Sequence, residues 1–182
     1  MRLVTISGLP GSGTTILCRA LIGQTGWTHL NTGQVFRQLA DEAGVSLPEY
    51  GRLAEADGAI DRQLDARMVE LAQQTDGGCV LEGRLMGWMA HRQRLSACKV
   101  WLQADVETRA LRVSSRDKQS REQATAAVRE REESERRRYA EHHDIDLSDI
   151  SVYDLVLDSN QTGADQLCTL VLAELRHPES AS

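Results

Sequence analysis

The chain has 182 residues, of which 41% are hydrophobic and 26% charged, so it can bury a sizeable core and has an ordinary globular composition. The net charge of −6 excludes a general attraction to nucleic acid or to anionic membranes. No apolar run approaches the ~20 residues of a membrane span, no secretory leader pattern precedes the first predicted strand, and the four cysteines lack metal-type spacing, which together predict a cytoplasmic protein with buried, reduced thiols.

The first predicted elements are a strand, a glycine-rich loop and a helix. The apolar run at 3–6 predicts a buried strand, and the pattern at 14–23 predicts a helix. Between them, Gly8 and Gly13 have the G-x-x-x-x-G spacing of a phosphate-binding P-loop, with Thr15 at its hydroxyl position. Inward-pointing N–H groups and the helix N-terminus would bind a polyphosphate, and the Thr15 hydroxyl would contact Mg²⁺. The alternative is a glycine-rich turn with no ligand.

The loop departs from the P-loop pattern at one position. Thr14 stands where the pattern has lysine, so the loop lacks the ammonium group that reaches the β- and γ-phosphates. The departure leaves the backbone nest intact, because that nest depends on the glycines. We therefore predict nucleotide binding, with its positive charge completed from elsewhere in the chain.

The remaining elements alternate in type along the chain. Further strands are predicted at 28–31, 79–81, 99–102 and 153–158. Helices are predicted at 32–44 with Thr32 as N-cap, from Ser46, and at 60–74, 106–116, 121–142 and 164–175. This order predicts an α/β fold with a doubly wound, five-stranded parallel sheet and helices on both faces. It forms one domain at 1–176 with a flexible tail at 177–182, and its sites should lie at the carboxyl ends of the strands.

Arginines recur where that edge of the sheet would gather them. Arg37 follows the second predicted strand and Arg84 follows the third. Two later helices carry further charged residues on single faces, namely Arg109, Arg112 and Arg116 on one, and Arg131, Glu135 and Arg138 on the other. Guanidinium groups match phosphate oxygens, so a site for two phosphate-bearing ligands would contain several of them. Alternatively, the segment 129–138 is a solvated helix with ion pairs such as Arg131–Glu135.

Glu82 ends the third predicted strand, directly before Gly83 and Arg84. A carboxylate at the tip of a strand beside a P-loop commonly orients Mg²⁺ or its waters. The alternative for Glu82 is a helix cap or a structural ion pair. His142 and His143 have no metal-type spacing, and we interpret them as a solvated helix end.

Taken together, these residues resemble the nucleoside monophosphate kinases, and most closely the short-type cytidylate kinases first known from archaea. The resemblance extends over about residues 1–175. It is carried by the loop at 6–15, the Thr32-Gly33-Gln34-Val35-Phe36-Arg37 turn, the run 60–65, the Glu-Gly-Arg-Leu-x-Gly-Trp run at 82–88, and the segments 129–139 and 151–156. The run at 82–88 is much more specific than a P-loop alone.

The resemblance implies transfer of the γ-phosphoryl group of ATP to CMP or dCMP, with Mg²⁺. It implies ATP binding by Ser7, Gly8, Leu9, Pro10, Gly11, Ser12, Gly13, Thr14, Thr15 and Arg112, and metal binding by Thr15 and Glu82. The catalytic residues would be Arg84, Glu82, Arg131 and Arg116. The acceptor would be bound by Thr32, Gly33, Arg37, Asp61, Asp65, Gly83, Arg84, Glu135 and Arg138. A helical insert at about 32–75 would bind the acceptor, a lid at about 109–142 would close over the donor, and the protein would be a monomer or weak dimer.

We hypothesise that a lid arginine replaces the positive charge missing at Thr14. Two other functions stay open at this point. The protein could be a kinase for another nucleotide or small metabolite, since the base contacts are not fixed by the motifs. It could also be a nucleotide-binding regulatory protein whose catalysis is weakened by Thr14.

Overall fold

The computed structural model describes residues 2–176, and its centre is a parallel sheet of five strands. The strands are β1 (Arg2–Gly8), β2 (Thr28–Asn31), β3 (Gly78–Glu82), β4 (Cys98–Gln103) and β5 (Leu155–Asp158). Their order in the sheet is β2-β3-β1-β4-β5, and every neighbouring pair is parallel. The predicted doubly wound sheet is confirmed. The predicted tail at 177–182 lies outside the described residues.

Eight helices connect and cover these strands in the described part of the chain. They are α1 (Thr14–Thr25), α2 (Thr32–Glu42), α3 (Leu47–Ala56), α4 (Gly58–Gln73), α5 (Met86–Arg92), α6 (Val106–Asp117), α7 (Arg121–His143) and α8 (Ala164–Glu174). The helix α5 was not predicted. The helix α4 begins two residues before its predicted start, and β5 begins two residues after its predicted start. Between residues 2 and 176, no helix combines the length and the apolar character that crossing a bilayer requires.

The two faces of the sheet bury separate cores, because successive side chains of a strand point to opposite faces. Leu3 of β1 packs with Leu81 of β3 in a core covered by α2, α4 and α5. Val4 of β1 and Val80 of β3 pack on the other face, against α1 and α8. Strands that are buried on both faces read as continuous apolar runs, which is why the sequence pattern located them.

The start of α2 differs from the prediction. Thr32 was expected to be the N-cap, but Asn31 holds that position and its side chain accepts a hydrogen bond from the Gln34 N–H at 3.1 Å. The Thr32 hydroxyl instead donates to the main-chain carbonyl of Glu82 at 2.5 Å. Thr32 therefore ties the start of α2 to the end of β3, where the site lies. The predicted cap at Ser46 is confirmed, since its hydroxyl accepts from the Glu49 N–H.

Candidate active site

A cleft of about 1320 Å³ opens at the carboxyl ends of β1, β2 and β3. This is the edge at which parallel sheets of this kind bind their ligands. It is lined by many of the predicted site residues: Pro10, Gly11, Gly13, Thr14, Thr15, Thr32, Gly33, Arg37, Asp61, Asp65, Glu82, Gly83, Arg84, Arg112, Arg116, Arg131, Glu135 and Arg138. Ser7, Gly8 and Ser12 are buried behind this surface and Leu9 is half-buried. The fold thus brings the P-loop, the β3 tip and the helix α7 to one cavity.

The glycine-rich loop has the backbone form expected of an anion nest. Gly11 and Gly13 have φ values of 85° and 98°, in the left-handed region that favours glycine. The Ser12 N–H closes a turn onto the Leu9 carbonyl at 3.0 Å, and Gly13 is the N-cap of α1. A Cβ at Gly11 would lie 2.8 Å from the Arg109 carbonyl oxygen, so the close packing of α6 also requires glycine there.

The Glu82 carboxylate is the centre of the polar network at the cleft floor. Its Oε1 accepts from the Thr14 hydroxyl at 2.9 Å and from the Thr15 hydroxyl at 2.5 Å. Its Oε2 lies 3.0 Å from His29 Nε2 and accepts from Asn31 Nδ2 at 2.6 Å. Burial alone would raise the pKa of Glu82, but these four hydrogen bonds outweigh burial and lower it to about 2. The carboxylate is therefore ionised at neutral pH.

The strand register explains why these groups meet. Asn31 pairs with Glu82 across β2 and β3, and Glu82 pairs with Ile6 across β3 and β1, directly before the loop. His29 lies two residues before Asn31, on the same side of β2. Sequence reasoning missed His29 and Asn31 as members of the site. The position of Asn31 at the end of a predicted strand was the signal that could have found it.

Arg112 and Arg109 of α6 hold the loop in place. The Arg112 guanidinium donates to the Ser12 carbonyl at 3.0 Å, to the Ser159 hydroxyl at 3.0 Å and to the Ser159 carbonyl. Arg109 is 4% exposed and donates to the Pro10 carbonyl at 3.3 Å and to Glu132 at 2.6 Å. The expectation that Arg109 belongs to the group of phosphate-facing arginines is wrong, because its guanidinium is buried beneath the loop. Arg112 does line the cleft, although it already bonds the loop carbonyls.

The helix α7 places a charged row opposite the β3 tip. Glu135, 8% exposed, accepts from Arg84 Nε at 2.7 Å and from Arg131 Nε at 2.8 Å. The Arg131 side chain is 60% exposed, and that of Arg116 on α6 is 66% exposed. The alternative of a solvated helix with internal pairs is partly correct for α7, since Arg131–Glu135 forms. The buried Glu135 carboxylate nevertheless connects α7 to Arg84, two residues after the end of β3.

A second buried cluster lies between α4 and the end of α7. His143 has its two ring nitrogens 3.6 Å from Asp61 Oδ2 and 3.6 Å from Asp65 Oδ2, and Arg138 Nε lies 3.5 Å from Asp61 Oδ2. Burial raises the pKa of Asp65 to about 6, the His143 ring opposes this, and the neighbouring Asp61 adds to it. The interpretation of His143 as a solvated helix end is wrong, because it is 8% exposed and packs between the two aspartates.

Comparison with known proteins agrees with this arrangement. A sequence model described as the cytidylate kinase-like family matches residues 3–161. The chain belongs to this cytidylate kinase-like family. It is 42% identical over 175 residues to the cytidylate kinase of Pyrococcus abyssi, covering 96% of this chain and 94% of the relative. It is 44% identical over 173 residues to the cytidylate kinase of Methanoregula boonei, covering 94% and 93%.

Solved structures support the fold of this family member. Shikimate kinase from Acinetobacter baumannii, in complex with shikimate, superposes with a TM-score of 0.61 at 19% identity, covering 97% of this chain and 93% of that one. An uncharacterised protein from Eubacterium ventriosum superposes with a TM-score of 0.73 at 14% identity, covering 97% and 99%. At these identities the likeness concerns the P-loop kinase fold alone.

Two further exposed arginines, Arg37 and Arg19, line the cleft of this cytidylate kinase-like protein. Arg37 on α2 was predicted as a site residue, and it lines the cavity with an exposed side chain. Arg19 on α1 also lines the cavity and is exposed, but the sequence analysis missed it. It lies four residues after Thr15, hence on the same face of α1, and that spacing was the available signal.

Proposed function

We propose that the protein transfers the γ-phosphoryl group of ATP to CMP or dCMP, giving ADP and the cytidine diphosphate. The observation that carries the proposal is the single cleft in which the P-loop faces Arg37, Arg84 and the buried Asp61. Such a cleft has room for two ligands whose phosphate ends meet at the β3 tip. Its membership of the cytidylate kinase-like family supports the same reaction.

The donor would bind to the loop from Ser7 to Thr15 through backbone N–H groups at the start of α1. The Thr15 hydroxyl and the Glu82 carboxylate would hold Mg²⁺, since both are hard oxygen donors and they are neighbours, joined by a hydrogen bond that the ion would replace. The ion would neutralise charge on the transferring phosphoryl group. The carboxylate suits this task because its low pKa keeps it ionised over the physiological range. Arg112 supports the donor site by fixing the carbonyls of the loop.

The acceptor phosphate would be bound by Arg37 and Arg84. Arg37 is exposed in the cleft, and Arg84 is half-buried at the β3 tip with its Nε on Glu135. Gly83 lets the chain pass close to the Thr32 side chain, so the acceptor edge of the site stays tightly built. In phosphoryl transfer the protein supplies alignment and charge, and two arginines on one phosphate provide both.

The base of the acceptor would be read by the cluster of Asp61 and Asp65. Asp61 is 5% exposed, lines the cleft and has a buried Oδ2 without a hydrogen-bond partner within the described residues. A carboxylate oxygen accepts from the exocyclic amine of cytosine, which uracil lacks. This donor–acceptor match favours CMP over UMP, and Arg138, with its Nε 3.5 Å from Asp61 Oδ2, would help to hold the carboxylate in position.

The segment 109–142 would act as a lid over the donor, and the segment 32–75 would bind the acceptor. Arg116 and Arg131 line the cleft with largely exposed side chains, Arg116 paired with Asp117 and Arg131 with Glu135. Because Thr14 carries no charge, we assign to Arg131 the positive charge that the P-loop lysine would supply. Closure would exclude water and so limit hydrolysis of ATP.

We also propose that the protein works in the cytoplasm as a monomer or weak dimer without nucleic acid. Its four cysteines are free and buried, as expected of a reducing compartment. The net charge of −6 argues against a polyanionic partner. Sedimentation of the purified protein across a concentration series would test the oligomeric state.

The experiment that tests the activity is an ADP-release assay with ATP and Mg²⁺ and a panel of CMP, dCMP, UMP, AMP and GMP. We expect CMP and dCMP to stimulate ADP release most, with UMP at least tenfold less effective because one hydrogen bond to a buried carboxylate is lost. Asp61→Asn should reduce the discrimination between CMP and UMP. Absence of stimulation by any acceptor would overturn the kinase proposal, and selective stimulation by AMP would overturn the choice of acceptor.

A further inference from the structure

Three potential metal ligands converge behind the P-loop, each from a different element. Cys18 lies on α1, His29 on β2 and Glu82 at the end of β3. Their ligand atoms, the Cys18 Sγ, a His29 ring nitrogen and a Glu82 carboxylate oxygen, all lie within 4.8 Å of one another. The His29 Nε2 and the Glu82 Oε2 are 3.0 Å apart.

The donor set has the chemistry of a thiophilic metal site. Thiolate, imidazole and carboxylate are the three ligand types of Zn²⁺, whereas Mg²⁺ takes oxygen ligands. Zinc bond lengths of about 2.0–2.3 Å place donor atoms roughly 3.3–3.8 Å apart in a tetrahedral site. The three donor atoms, all within 4.8 Å of one another, reach that spacing if the widest separation closes by up to about 1 Å and the 3.0 Å between His29 and Glu82 opens slightly, which side-chain rotation can supply.

The burial of the three groups favours a built site over a chance surface cluster. Cys18 is fully buried, Glu82 is 5% exposed and the His29 side chain is 20% exposed. Glu82 lines the cleft, so a cation has a route to the cluster from the cavity. The two oxygens of Glu82 face different partners, because Oε1 accepts from Thr14 and Thr15 while Oε2 faces His29.

We propose that Cys18, His29 and Glu82 form a binding site for a thiophilic divalent cation, represented by Zn²⁺ or Co²⁺, and that its occupation inhibits phosphoryl transfer. On binding, the Cys18 thiol releases its proton to solvent, the S–metal bond forms, and the ring nitrogen and carboxylate donate lone pairs. A water molecule fills the fourth position. A cation bound on the His29 side of Glu82 neutralises the carboxylate charge that would otherwise, together with Thr15, hold Mg²⁺. The inhibition of phosphoryl transfer rests on the proposed function, whereas the metal binding does not.

The binding test is titration of the metal-free full-length protein with Co²⁺, followed by absorption spectroscopy. We expect a thiolate-to-cobalt charge-transfer band in the near ultraviolet, saturating at one metal per chain and lost when Zn²⁺ is added. Cys18→Ser should lose the charge-transfer band, and His29→Gln should weaken cobalt binding at least tenfold. Cys168→Ser is the matched control, since Cys168 is also fully buried in the same core but lies outside the cluster.

The inhibition test measures ADP release from ATP and CMP at saturating Mg²⁺, with and without Zn²⁺. We expect Zn²⁺ to inhibit the unsubstituted protein and the Cys168→Ser variant. In Cys18→Ser, the rate with Zn²⁺ should stay close to the rate of the same variant without Zn²⁺. Circular dichroism checks that each variant is folded. If Cys18→Ser does not fold, His29→Gln is used in its place, and loss of zinc inhibition is then expected in that variant. A missing charge-transfer band, or a band that persists without Cys18, overturns the site. A normal band in a protein without kinase activity overturns the proposed function and leaves the site standing.

Discussion

The Nε of Arg84 donates to the Glu135 carboxylate at 2.7 Å, joining the segment just after the third strand to the helix 121–143. The other oxygen of the same carboxylate accepts from Arg131 at 2.8 Å. One buried anion therefore orients an arginine that we assign to the acceptor phosphate and an arginine that we assign to the donor.

Replacing Glu135 by glutamine should uncouple these two arginines. The amide keeps the shape of the side chain but removes its charge, leaving Arg84 half-buried without an anion. We expect the free energy of unfolding to fall by about 2 kcal/mol and kcat/KM for CMP to fall about tenfold, as measured by urea unfolding and the ADP-release assay. Glu133→Gln, an exposed change on the same helix, should stay within about 0.5 kcal/mol. Equal stability of the two variants would contradict the bridging role of Glu135.

Removing the Arg131 guanidinium tests the source of the positive charge missing at Thr14. We expect Arg131→Ala to lower kcat at least about 100-fold, because a charge that stabilises the transferring phosphoryl group is lost. Arg137→Ala is the control, since Arg137 is exposed on the same helix and is not among the cleft residues. Unchanged turnover in Arg131→Ala would contradict the assignment.

A lysine at position 14 should compensate for that loss. The Thr14 hydroxyl lies 2.9 Å from Glu82 Oε1, so a lysine there would extend an ammonium group along the same floor of the cleft. We expect Thr14→Lys to recover about tenfold of kcat in the Arg131→Ala background and to change the unsubstituted enzyme much less. Steady-state kinetics of the four proteins gives the coupling, and strictly additive effects would show that the two positions act independently.

The buried Asp65 predicts a particular dependence of stability on pH. Its pKa is raised from 3.8 to about 6 by burial, so the folded state resists ionisation more than the unfolded state does. The contribution of Asp65 is complete below pH 4 and is lost as pH rises through 6. Asp65→Asn does not titrate, so its stability relative to the unsubstituted protein should increase between pH 4 and pH 7. Urea unfolding at both pH values checks this, and a constant difference would contradict it.

The glycine at position 87 should be required for the packing of the helix 86–92. A Cβ at Gly87 would overlap the Tyr153 ring, so we expect Gly87→Ala to destabilise the protein by about 2–3 kcal/mol. Gly51 is the matched control, because it lies in a helix with open space around it, and its replacement by alanine should stabilise by about 0.5–1 kcal/mol. Thermal unfolding of both variants measures the effects, and a neutral Gly87→Ala would disprove the tight contact.

The same helix shows where sequence reasoning reached its limit. The strands β1, β3 and β4 were predictable because continuous apolar runs indicate burial on both faces of a sheet. The helix 86–92 was not, since it has seven residues and contains a glycine, and a helix that short depends on tertiary packing rather than on its own propensity. The buried Met86 and Met89 supply that packing, which no local pattern records.

The site divides in the same way. The loop, Glu82 and Arg84 followed from local order in the chain, because the ends of parallel strands must meet at one edge. Arg109 did not follow, since its spacing matches that of Arg112 while only the fold reveals that it is buried beneath Pro10. The burial of His143 was equally hidden, because its two aspartate partners lie on a helix far away in the sequence.

The buried cysteines can report local unfolding of the protein, because a buried thiol reacts with a reagent only when the structure around it opens. Burial raises the pKa of Cys79 to about 11 and of Cys98 to about 12, so both thiols stay protonated and unreactive while the protein is folded. Cys79 belongs to the core on one face of the sheet and Cys98 to the core on the other. The rate at which an alkylating reagent labels each thiol therefore measures how often the core around that thiol opens. Labelling of Cys79 and of Cys98 thus measures the opening of the two cores independently in one protein.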